Sequence, residues 1–298
     1  MGVMEILDGK RKEIEKLLKA GESYSSIIRK LNLGVHRNTF LRWRKERGLV
    51  APSVADKYEI EPRASIREKL GRPLVVSMVS YKGGVGKSTV CNLLDFKNSK
   101  IINFDREDVA HVNAGERTVD YYARLEEIGE EIPPLEFTEE LMESERDTEI
   151  LFLDTPGEAT GDFVELRRIT DVFIIVAQPT VRAVGRTLST AVDVSAWEGD
   201  YLAHAVYNMA DFKIPGMKET IELYSRAFRE TFAERFSGES ILPFSSVVHA
   251  VDRTGKTLKE LVRENDMIYG RFAAKVAKMK SELAATFEKA VEIAVKEG

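Results

Sequence analysis

The stretch Tyr81-Lys82-Gly83-Gly84-Val85-Gly86-Lys87-Ser88-Thr89 decides the fold of this chain. An apolar, strand-like run, Leu74–Ser80, precedes it, and the helical pattern Val90–Leu94 follows it. Glycines at this spacing let successive backbone N–H groups turn inward around an anion, and the following helix directs its positive end at the same point. The stretch therefore predicts a phosphate-binding loop between a strand and a helix.

The side chains of this loop are suited to a nucleoside triphosphate. Lys87 is expected to bridge the β- and γ-phosphates, Ser88 to ligate Mg²⁺ through its hydroxyl, and Thr89 to reach the α-phosphate. The backbone cradle is expected to consist of the four preceding residues, Gly83, Gly84, Val85 and Gly86. The expected ligands are ATP or ADP with Mg²⁺.

A second lysine, Lys82, opens the loop. The run from Lys82 to Ser88 resembles the deviant Walker A signature Lys-Gly-Gly-x-Gly-Lys-Ser/Thr of the ParA/MinD family of P-loop ATPases. The resemblance implies that Lys82 crosses an ATP-sandwiched homodimer and touches the partner's phosphates, as an arginine finger does in other enzymes. Lys82 and Lys87 are then both catalytic, and hydrolysis is coupled to dimerisation.

An acidic motif follows the next strand-like run. Ile101–Phe104 leads into Asp105-Arg106-Glu107, which resembles the second motif of the same family, Asp-x-Asp. The resemblance implies that Asp105 lies near Mg²⁺ and that Glu107 positions the attacking water. Glutamate departs from the family's aspartate, and a displacement of about 1 Å can cost about 100-fold in rate. Asp108 is the alternative to Glu107.

The stretch Asp154-Thr155-Pro156-Gly157 follows a third strand-like run, Ile150–Leu153, and resembles the family's Walker B motif. Asp154 is expected to hold Mg²⁺ through a water molecule, because Mg²⁺ keeps most of its hydration shell. Thr155 and Gly157 are expected to sense the γ-phosphate.

Two weaker matches concern the nucleotide base. Asn208, after Val206-Tyr207, matches an asparagine that contacts adenine in the family, although a turn-forming role explains it nearly as well. Pro243, in Ile241-Leu242-Pro243-Phe244, matches the last loop on the nucleotide side. The resemblance covers about residues 74–268.

Short apolar runs alternate with helical patterns from Leu74 onward. Such runs are typical of strands buried on both faces, and the helices between them supply right-handed crossovers. We therefore expect an α/β fold with a doubly wound, mostly parallel sheet, whose site lies at the carboxyl ends of the strands. The predicted strands are Leu74–Ser80, Lys100–Phe104, Glu149–Leu153, Val172–Ala177 and Ala203–Tyr207. A final helix over about 269–296 is expected to pack on the core or on a second subunit.

The first 50 residues form a basic, wholly helical segment. They hold 12 Lys and Arg residues against 6 Asp and Glu, whereas the rest of the chain carries a net charge of −11. The spacing of apolar residues predicts three short helices, of which those at about 23–32 and 36–47 have the layout of a helix-turn-helix. The pair resembles the helix-turn-helix units of resolvases and of the longer plasmid ParA proteins.

The second of these helices is expected to enter the major groove of DNA. Val35, Phe40, Leu41 and Trp43 are predicted to pack inward, which leaves the polar residues facing out. The predicted DNA contacts, to bases or phosphates, are His36, Arg37, Asn38, Thr39, Arg42, Arg44 and Lys45. A helical dimerisation or docking module is the alternative that the residues leave open.

These patterns divide the chain into a helix-turn-helix domain at 1–50, a linker at 51–73 and an ATPase domain at 74–298. The longest apolar runs are far shorter than the roughly 18 residues of a membrane span, and the segment Met1–Glu5 lacks the pattern of a secretory signal. A single cysteine, Cys91, excludes an internal disulfide framework and a cysteine-bridged cluster within one chain. We expect a cytoplasmic, nucleoid-associated protein.

The combination of a DNA-binding segment and this ATPase resembles a ParA-type partition protein for plasmid or chromosome copies. The resemblance implies a homodimer that binds DNA nonspecifically and a centromere-binding, ParB-like partner that stimulates hydrolysis. Candidate residues for the nonspecific surface, for which an ordinary solvated surface is the alternative, are Arg182, Arg186, Lys213, Arg226 and Arg229. An ATP-controlled transcription regulator and a metabolic ligase stay open as other functions. MinD-like membrane positioning is disfavoured, because no basic-apolar C-terminal anchor is seen.

Overall fold

The computed structural model describes residues 3–19, 24–47, 60, 65–105, 117–157, 161–254 and 256–297. The N-terminal part contains four short helices: α1 (Val3–Gly9), α2 (Arg11–Lys19), α3 (Tyr24–Lys30) and α4 (Arg37–Glu46). The prediction of three helices was wrong at the first one, because the chain turns at Lys10 after Gly9 and starts a second helix. Glycine is among the least favourable residues in a helix interior, so the break falls where helix propensity is lowest.

These four helices share a hydrophobic core of their own. Its centre is Phe40 and Trp43, which are fully buried and whose ring centroids lie 5.9 Å apart. The core also contains Leu7, Ile14, Leu18, Tyr24, Ile27, Leu33 and Val35. The Trp43 indole N–H donates to Asp8 at 2.9 Å and Arg47 forms an ion pair with the same carboxylate, which ties α4 to α1.

The α/β domain is built on a seven-stranded sheet in which every pairing is parallel. The strands are β1 (Leu74–Val79), β2 (Ser99–Asn103), β3 (Thr118–Asp120), β4 (Ile150–Asp154), β5 (Val172–Ala177), β6 (Leu202–Ala210) and β7 (Phe236–Pro243). Their order is β3-β2-β4-β1-β5-β6-β7. The predicted α/β class with a doubly wound parallel sheet is confirmed.

Helices cover both faces of the sheet. They are α5 (Ile66–Leu70), α6 (Lys87–Leu93), α7 (Tyr121–Ile128), α8 (Pro134–Ser144), α9 (Val184–Ser195), α10 (Met217–Phe232), α11 (Val247–Thr254), α12 (Leu258–Glu264) and α13 (Asp266–Glu297). Alternate residues of β1 point to opposite cores: Val76 joins the core with α6 and α13, whereas Val75 packs with residues of α7 and α8. This alternation is the two-residue period of a strand that is buried on both faces.

The predicted final helix is α13, and it packs on the core. Its buried positions lie in the same cluster as Val90, Cys91 and Leu93 of α6 and one face of β1. They include Phe272, Val276, Met279, Leu283, Phe287 and Val291. Within the described ranges, no helix is both long enough and apolar enough to cross a membrane.

The two edge strands were not predicted. β3 has only three residues, which is too short for a hydrophobic pattern, and β7 runs through Ser237, Gly238 and Glu239 with most positions only partly buried. Edge strands are protected on fewer sides than central ones, so their sequences need not be apolar. The segment Ile241–Pro243, expected to be a loop, is the end of β7.

The end of the predicted linker packs on the α/β domain. Ser65 caps α5, and Glu149 at the start of β4 accepts hydrogen bonds from the Ser65 hydroxyl at 2.9 Å and from the backbone N–H groups of Ile66 and Arg67 at 2.7 and 2.9 Å. Ile60, earlier in the same stretch, is partly buried against the core of the domain. The linker residues 51–59 and 61–64 lie outside the described residues.

Candidate nucleotide-binding site

The glycine-rich loop lies at the centre of the sheet. β1 pairs with β4 on one side and with β5 on the other, and the chain changes direction across the sheet at this strand. A crevice at the carboxyl ends of the strands is expected at such a switch point. The loop follows Val79 directly into this crevice, and α6 begins at Lys87.

The backbone of the loop adopts a conformation that favours glycine at two positions. Gly84 has φ 72° and Gly86, the N-cap of α6, has φ 84°. Both lie in the left-handed region, where residues with a Cβ are strained. Gly86 also has no space for a side chain, because a Cβ built there would lie 2.4 Å from Asn208 Nδ2. The sequence of the loop thus satisfies a backbone that turns tightly into a helix N-terminus.

The polar residues at the start of α6 are sheltered. Lys87 is 7% exposed and Ser88 is 8% exposed, while Thr89 is half-buried. Val85 is fully buried and fixes the loop to the core. A lysine ammonium and unpaired N–H groups at a helix N-terminus together form a site for an anion.

Lys82 is held within its own subunit by a residue that sequence reasoning did not assign to the site. Its Nζ atom donates a hydrogen bond to Gln178 Oε1 at 2.9 Å. Gln178 comes directly after β5, the neighbour of β1. The signal that could have identified Gln178 is a polar residue directly after a fully buried strand, at the carboxyl end of the sheet.

Tyr81 anchors the start of the loop to α9. Its backbone N–H donates to the Thr190 hydroxyl at 2.9 Å, and its phenol donates to the Asp193 carboxylate. Arg167 donates to the Tyr81 oxygen at 3.3 Å and lies over the Trp197 ring at 4.7 Å. Burial, and then the bond to Asp193, raise the pKa of Tyr81. The tyrosine therefore stays a neutral anchor at physiological pH.

Asp154 ends β4 beside the loop and is fully buried. The next residue, Thr155, donates its hydroxyl proton to the Met78 carbonyl oxygen at 2.7 Å, which ties the turn to β1. A Cβ built on Gly157 would lie 3.7 Å from Gly83 Cα. The structure thus brings the Asp154-Thr155-Pro156-Gly157 turn against the phosphate loop.

Asp105 lies at the end of the neighbouring strand. Asn103 pairs with Asp154 in the register of β2 and β4, and its side-chain amide bonds to the backbone N–H and carbonyl of Asp105 at 3.0 and 3.2 Å. Asp105 is thereby placed beyond the same sheet edge as Asp154. Glu107 and its alternative Asp108 lie outside the described residues.

The oxygen donors around the loop fit Mg²⁺. This ion prefers oxygen ligands and usually takes only one or two protein carboxylates beside phosphates and water. The Ser88 hydroxyl at the start of α6, the Asp154 carboxylate at the end of β4 and the Asp105 carboxylate beyond β2 are oxygen donors of this kind. Among the residues that the structure describes, no group of three or more His, Cys, Asp or Glu side chains is arranged to hold a metal ion.

Asn208 and Pro243 lie near the carboxyl ends of β6 and β7. The Asn208 amide donates to the Val85 carbonyl oxygen at 2.7 Å, so the structure places it against the phosphate loop. Pro243 pairs with Ala210 in the register of the two strands and is half-buried. The structure brings Asn208 to the loop, and Pro243 lies at the end of the neighbouring strand β7.

The predicted DNA-contacting helix is α4. As expected, Val35, Phe40 and Trp43 are buried, and Leu41 is partly buried against the same core. His36, Asn38 and Arg42 are exposed. Thr39 is half-buried. Arg37 and Lys45 belong to α4, but their side chains lie outside the described part of the structure.

Arg44 is engaged inside the N-terminal core. Its guanidinium lies 4.8 Å from the centroid of the Tyr24 ring and hydrogen-bonds to the Tyr24 hydroxyl. A cation over an aromatic ring stabilises helix packing. This contact gives Arg44 a structural role in joining α4 to α3, alongside its predicted phosphate contact.

The candidate residues for a nonspecific DNA surface are exposed, and two of them have acidic neighbours. Arg182 and Arg186 lie at the start of α9, and Arg226 and Arg229 lie on α10. The α10 pair lines a cavity of about 590 Å³ together with Glu222, Glu230 and Glu239. Arg229 also pairs with Glu239 at 3.4 Å. The acidic neighbours offset the positive charge on this face.

Comparisons with known proteins place the fold. No protein-family model and no curated protein sequence matches the chain. Among solved structures, a Cyanothece McdA variant in complex with ATP matches at a TM-score of 0.50 and 14% identity, over 71% of this chain and 96% of that chain.

Two further solved structures match at lower TM-scores. MinD of Pyrococcus horikoshii in complex with Mg-ADP matches at 0.45 and 16% identity, over 71% and 97% of the two chains. A ParA family ATPase from Chlorobium tepidum matches at 0.44 and 13% identity, over 71% and 98%. At this level of identity the comparison shows the fold alone: the chain shares its fold with the McdA structure.

Proposed function

We propose that this chain is a Mg²⁺-dependent ATPase of the ParA type that partitions plasmid or chromosomal DNA. The observation that carries the proposal is the loop from Lys82 to Ser88 at the centre of a parallel sheet, with buried Asp154 beside it. A buried carboxylate, a buried lysine and a helix N-terminus at one sheet edge suit phosphoryl transfer, in which catalysis consists mainly of positioning and charge stabilisation.

In the proposed reaction, water adds to the γ-phosphorus as the bond from that phosphorus to the β–γ bridging oxygen breaks. The products are ADP, inorganic phosphate and a proton. Lys87 and the loop N–H groups hold the phosphates, and Glu107 is the proposed positioning group for water. Ser88, Asp154 and Asp105 would hold Mg²⁺, which would neutralise charge on the phosphates.

Lys82 supplies the proposed link between hydrolysis and assembly. When two subunits close around two ATP molecules, each Lys82 leaves Gln178 and reaches the phosphates of the partner subunit. A cation delivered in this way stabilises the negative charge of the transition state. The dimer then binds DNA nonspecifically, and a centromere-binding, ParB-like partner stimulates hydrolysis and releases it.

The N-terminal helices are proposed to bind DNA independently of this cycle. They have their own core, and α4 presents His36, Asn38 and Arg42 to solvent. These are residue types that contact base edges and phosphates. An operator of its own gene is a candidate target.

An ATP-controlled transcription regulator without a partition role is the second candidate. The separate core of the N-terminal helices favours it. A DNA-binding unit that folds around its own core can regulate transcription if ATP only sets the oligomeric state of the protein. The two functions differ in turnover: a partition ATPase is stimulated by its partner and by DNA, whereas a regulator hydrolyses ATP slowly and without such stimulation.

The proposal is tested by measuring binding of a random-sequence duplex by fluorescence anisotropy with ATP, ADP or no nucleotide. We expect binding to be much tighter with Mg-ATP than with ADP or without nucleotide, and to be weakened steeply by salt because phosphate contacts release counterions. The Lys87→Ala protein, which lacks the lysine side chain proposed to bind the phosphates, serves as the matched control. Binding that is identical with ATP, with ADP and in the control would contradict the proposed cycle.

A further inference from the structure

The Asn208 side chain uses both ends of its amide within the protein. Nδ2 donates to the Val85 carbonyl oxygen at 2.7 Å, and Oδ1 accepts from the backbone N–H of Met209 at 2.9 Å. Asn208 is only 2% exposed. The amide is therefore buried between β6 and the phosphate loop, with its oxygen and one N–H committed to the backbone.

The loop approaches Asn208 so closely that only glycine fits opposite it. A Cβ on Gly86 would lie 2.4 Å from Asn208 Nδ2 and 3.4 Å from Met209 Cε. Real Cβ atoms do not approach another atom so closely, and the left-handed φ of Gly86 excludes most side chains independently. Asn208 is thus hydrogen-bonded to Val85 and in close packing contact with Gly86, the next residue of the loop.

The backbone of β6 is distorted where it makes this contact. Met209 has φ 58°, an uncommon value for a residue with a side chain, and the register of β6 with β7 shifts between Tyr207 and Ala210. Irregularities of this kind re-aim a side chain at the end of a strand. Here the distortion accompanies the turn of the Asn208 amide toward Val85.

We propose that Asn208 is a positioning residue that latches the phosphate loop through Val85. This inference rests on the proposed function, since it assigns Asn208 a part in the same nucleotide site. A latch acts on the phosphate cradle, so its loss weakens every ligand that carries a triphosphate. A base contact, by contrast, acts on adenosine alone.

The test compares three ligands by isothermal titration calorimetry with Mg²⁺: ATP, GTP and inorganic tripolyphosphate. In Asn208→Ser the donor to Val85 is lost, and we expect the affinity for all three ligands to fall by about tenfold, the equivalent of one hydrogen bond. The ratio of ATP to GTP affinity stays within about twofold of wild type. A selective loss of ATP affinity with unchanged tripolyphosphate affinity would overturn the proposal.

A second measurement tests, without any ligand, whether Asn208 orders the phosphate loop. Hydrogen exchange at the backbone amides of residues 83–88 is expected to be faster in Asn208→Ser than in wild type. Tyr207→Phe is the matched control, because the Tyr207 hydroxyl bonds to Ser225 on the opposite face of the same strand. Exchange at 83–88 that is unchanged in Asn208→Ser, or raised equally in the control, would refute the latch.

The two proposals fail in different ways. If the wild-type protein binds none of the three ligands, the proposed nucleotide function is wrong, while hydrogen exchange still decides whether Asn208 orders the loop. If the wild type binds ATP and Asn208→Ser keeps wild-type affinity for all three ligands, only the latch is wrong. A thermal melt of each variant confirms that it is folded at the temperature of the experiment.

Discussion

The Lys82 ammonium group donates a hydrogen bond to Gln178 Oε1 at 2.9 Å, within one subunit. The lysine lies in the loop after β1, and the glutamine follows the adjacent strand β5. In the proposed cycle Lys82 must leave this acceptor before it can reach the phosphates of a second subunit. In that cycle the hydrogen bond would oppose dimerisation, and Gln178 would set part of the free energy that ATP binding has to supply.

Replacing Gln178 is expected to shift the dimerisation equilibrium. Gln178→Leu removes the acceptor at similar volume. Two such bonds per dimer, of about 0.5–1.5 kcal/mol each, predict a dimer that is about 5- to 150-fold tighter. Gln178→Glu pairs more strongly with Lys82 and is expected to weaken the dimer. Sedimentation velocity with a slowly hydrolysed ATP analogue measures both shifts; equal dimerisation constants in the three proteins would rule out the restraint.

Asp154 and Asp171 are two well-buried carboxylates near opposite ends of the sheet, and they are expected to respond differently to removal of their charge. Asp154→Asn should lower ATP turnover by at least about 100-fold with little change in melting temperature, since the site loses a group for Mg²⁺. Steady-state turnover and thermal melts of the same samples measure both effects.

Asp171→Asn is the control for this pair. Asp171 accepts from Arg72 in a bidentate pair at 2.7 Å and from the Val75 N–H at 2.8 Å, and the pair raises the pKa of Arg72. Loss of the ion pair is expected to lower the free energy of unfolding by about 1–3 kcal/mol, with ATP turnover retained below the melting temperature. Normal turnover in Asp154→Asn would remove that residue from the site.

His204 is expected to make stability depend on pH. Burial lowers its pKa from the ordinary 6.5 to about 3, and the ring bonds to the hydroxyls of Ser240 at 2.9 Å and Thr286 at 3.0 Å, with Glu282 beyond Ser240. Below pH 6.5 the unfolded chain binds a proton that the folded protein excludes. Stability should therefore fall toward acid between pH 6.5 and about 3, at up to about 1.4 kcal/mol per pH unit.

Urea unfolding at intervals from pH 7.5 to pH 5 measures this dependence. His204→Gln keeps polar atoms in the site but does not titrate, so its stability should fall less steeply over the same range. The explanation is wrong if wild type and His204→Gln show the same slope below pH 6.5.

Substitutions of two arginines in the N-terminal helices are expected to distinguish an effect on DNA binding from an effect on stability. Arg42 has a side chain that is 69% exposed, whereas Arg47 bonds to Asp8 and, with Trp43, lowers the pKa of that carboxyl to about 2. Arg42→Ala is expected to weaken binding to a duplex selected from a random library by about tenfold, at unchanged stability. Arg47→Ala should lower the melting temperature instead; equal DNA affinity of wild type and Arg42→Ala would place the interface elsewhere.

The central strands and the phosphate loop could be predicted from the sequence because burial on both faces leaves continuous apolar runs, as in Val172–Ala177. The edge strands could not, since partly exposed residues such as Ser237 and Glu239 carry no such pattern. The contacts of Lys82 with Gln178 and of Asn208 with Val85 join residues about 100 positions apart, so only the packed fold reveals them. Glu107 stays a prediction, as do the roles of Lys82 and Pro243 toward the nucleotide.

The most direct test of the account is sedimentation velocity of wild type, Lys82→Ala and Lys87→Ala with Mg²⁺ and a slowly hydrolysed ATP analogue, paired with ATP turnover on the same preparations. We expect a wild-type dimer, a Lys82→Ala protein that binds the nucleotide but stays monomeric and loses stimulated turnover, and a Lys87→Ala protein that fails to bind it. A Lys82→Ala protein that dimerises and hydrolyses ATP like wild type would contradict the role of Lys82 across the dimer.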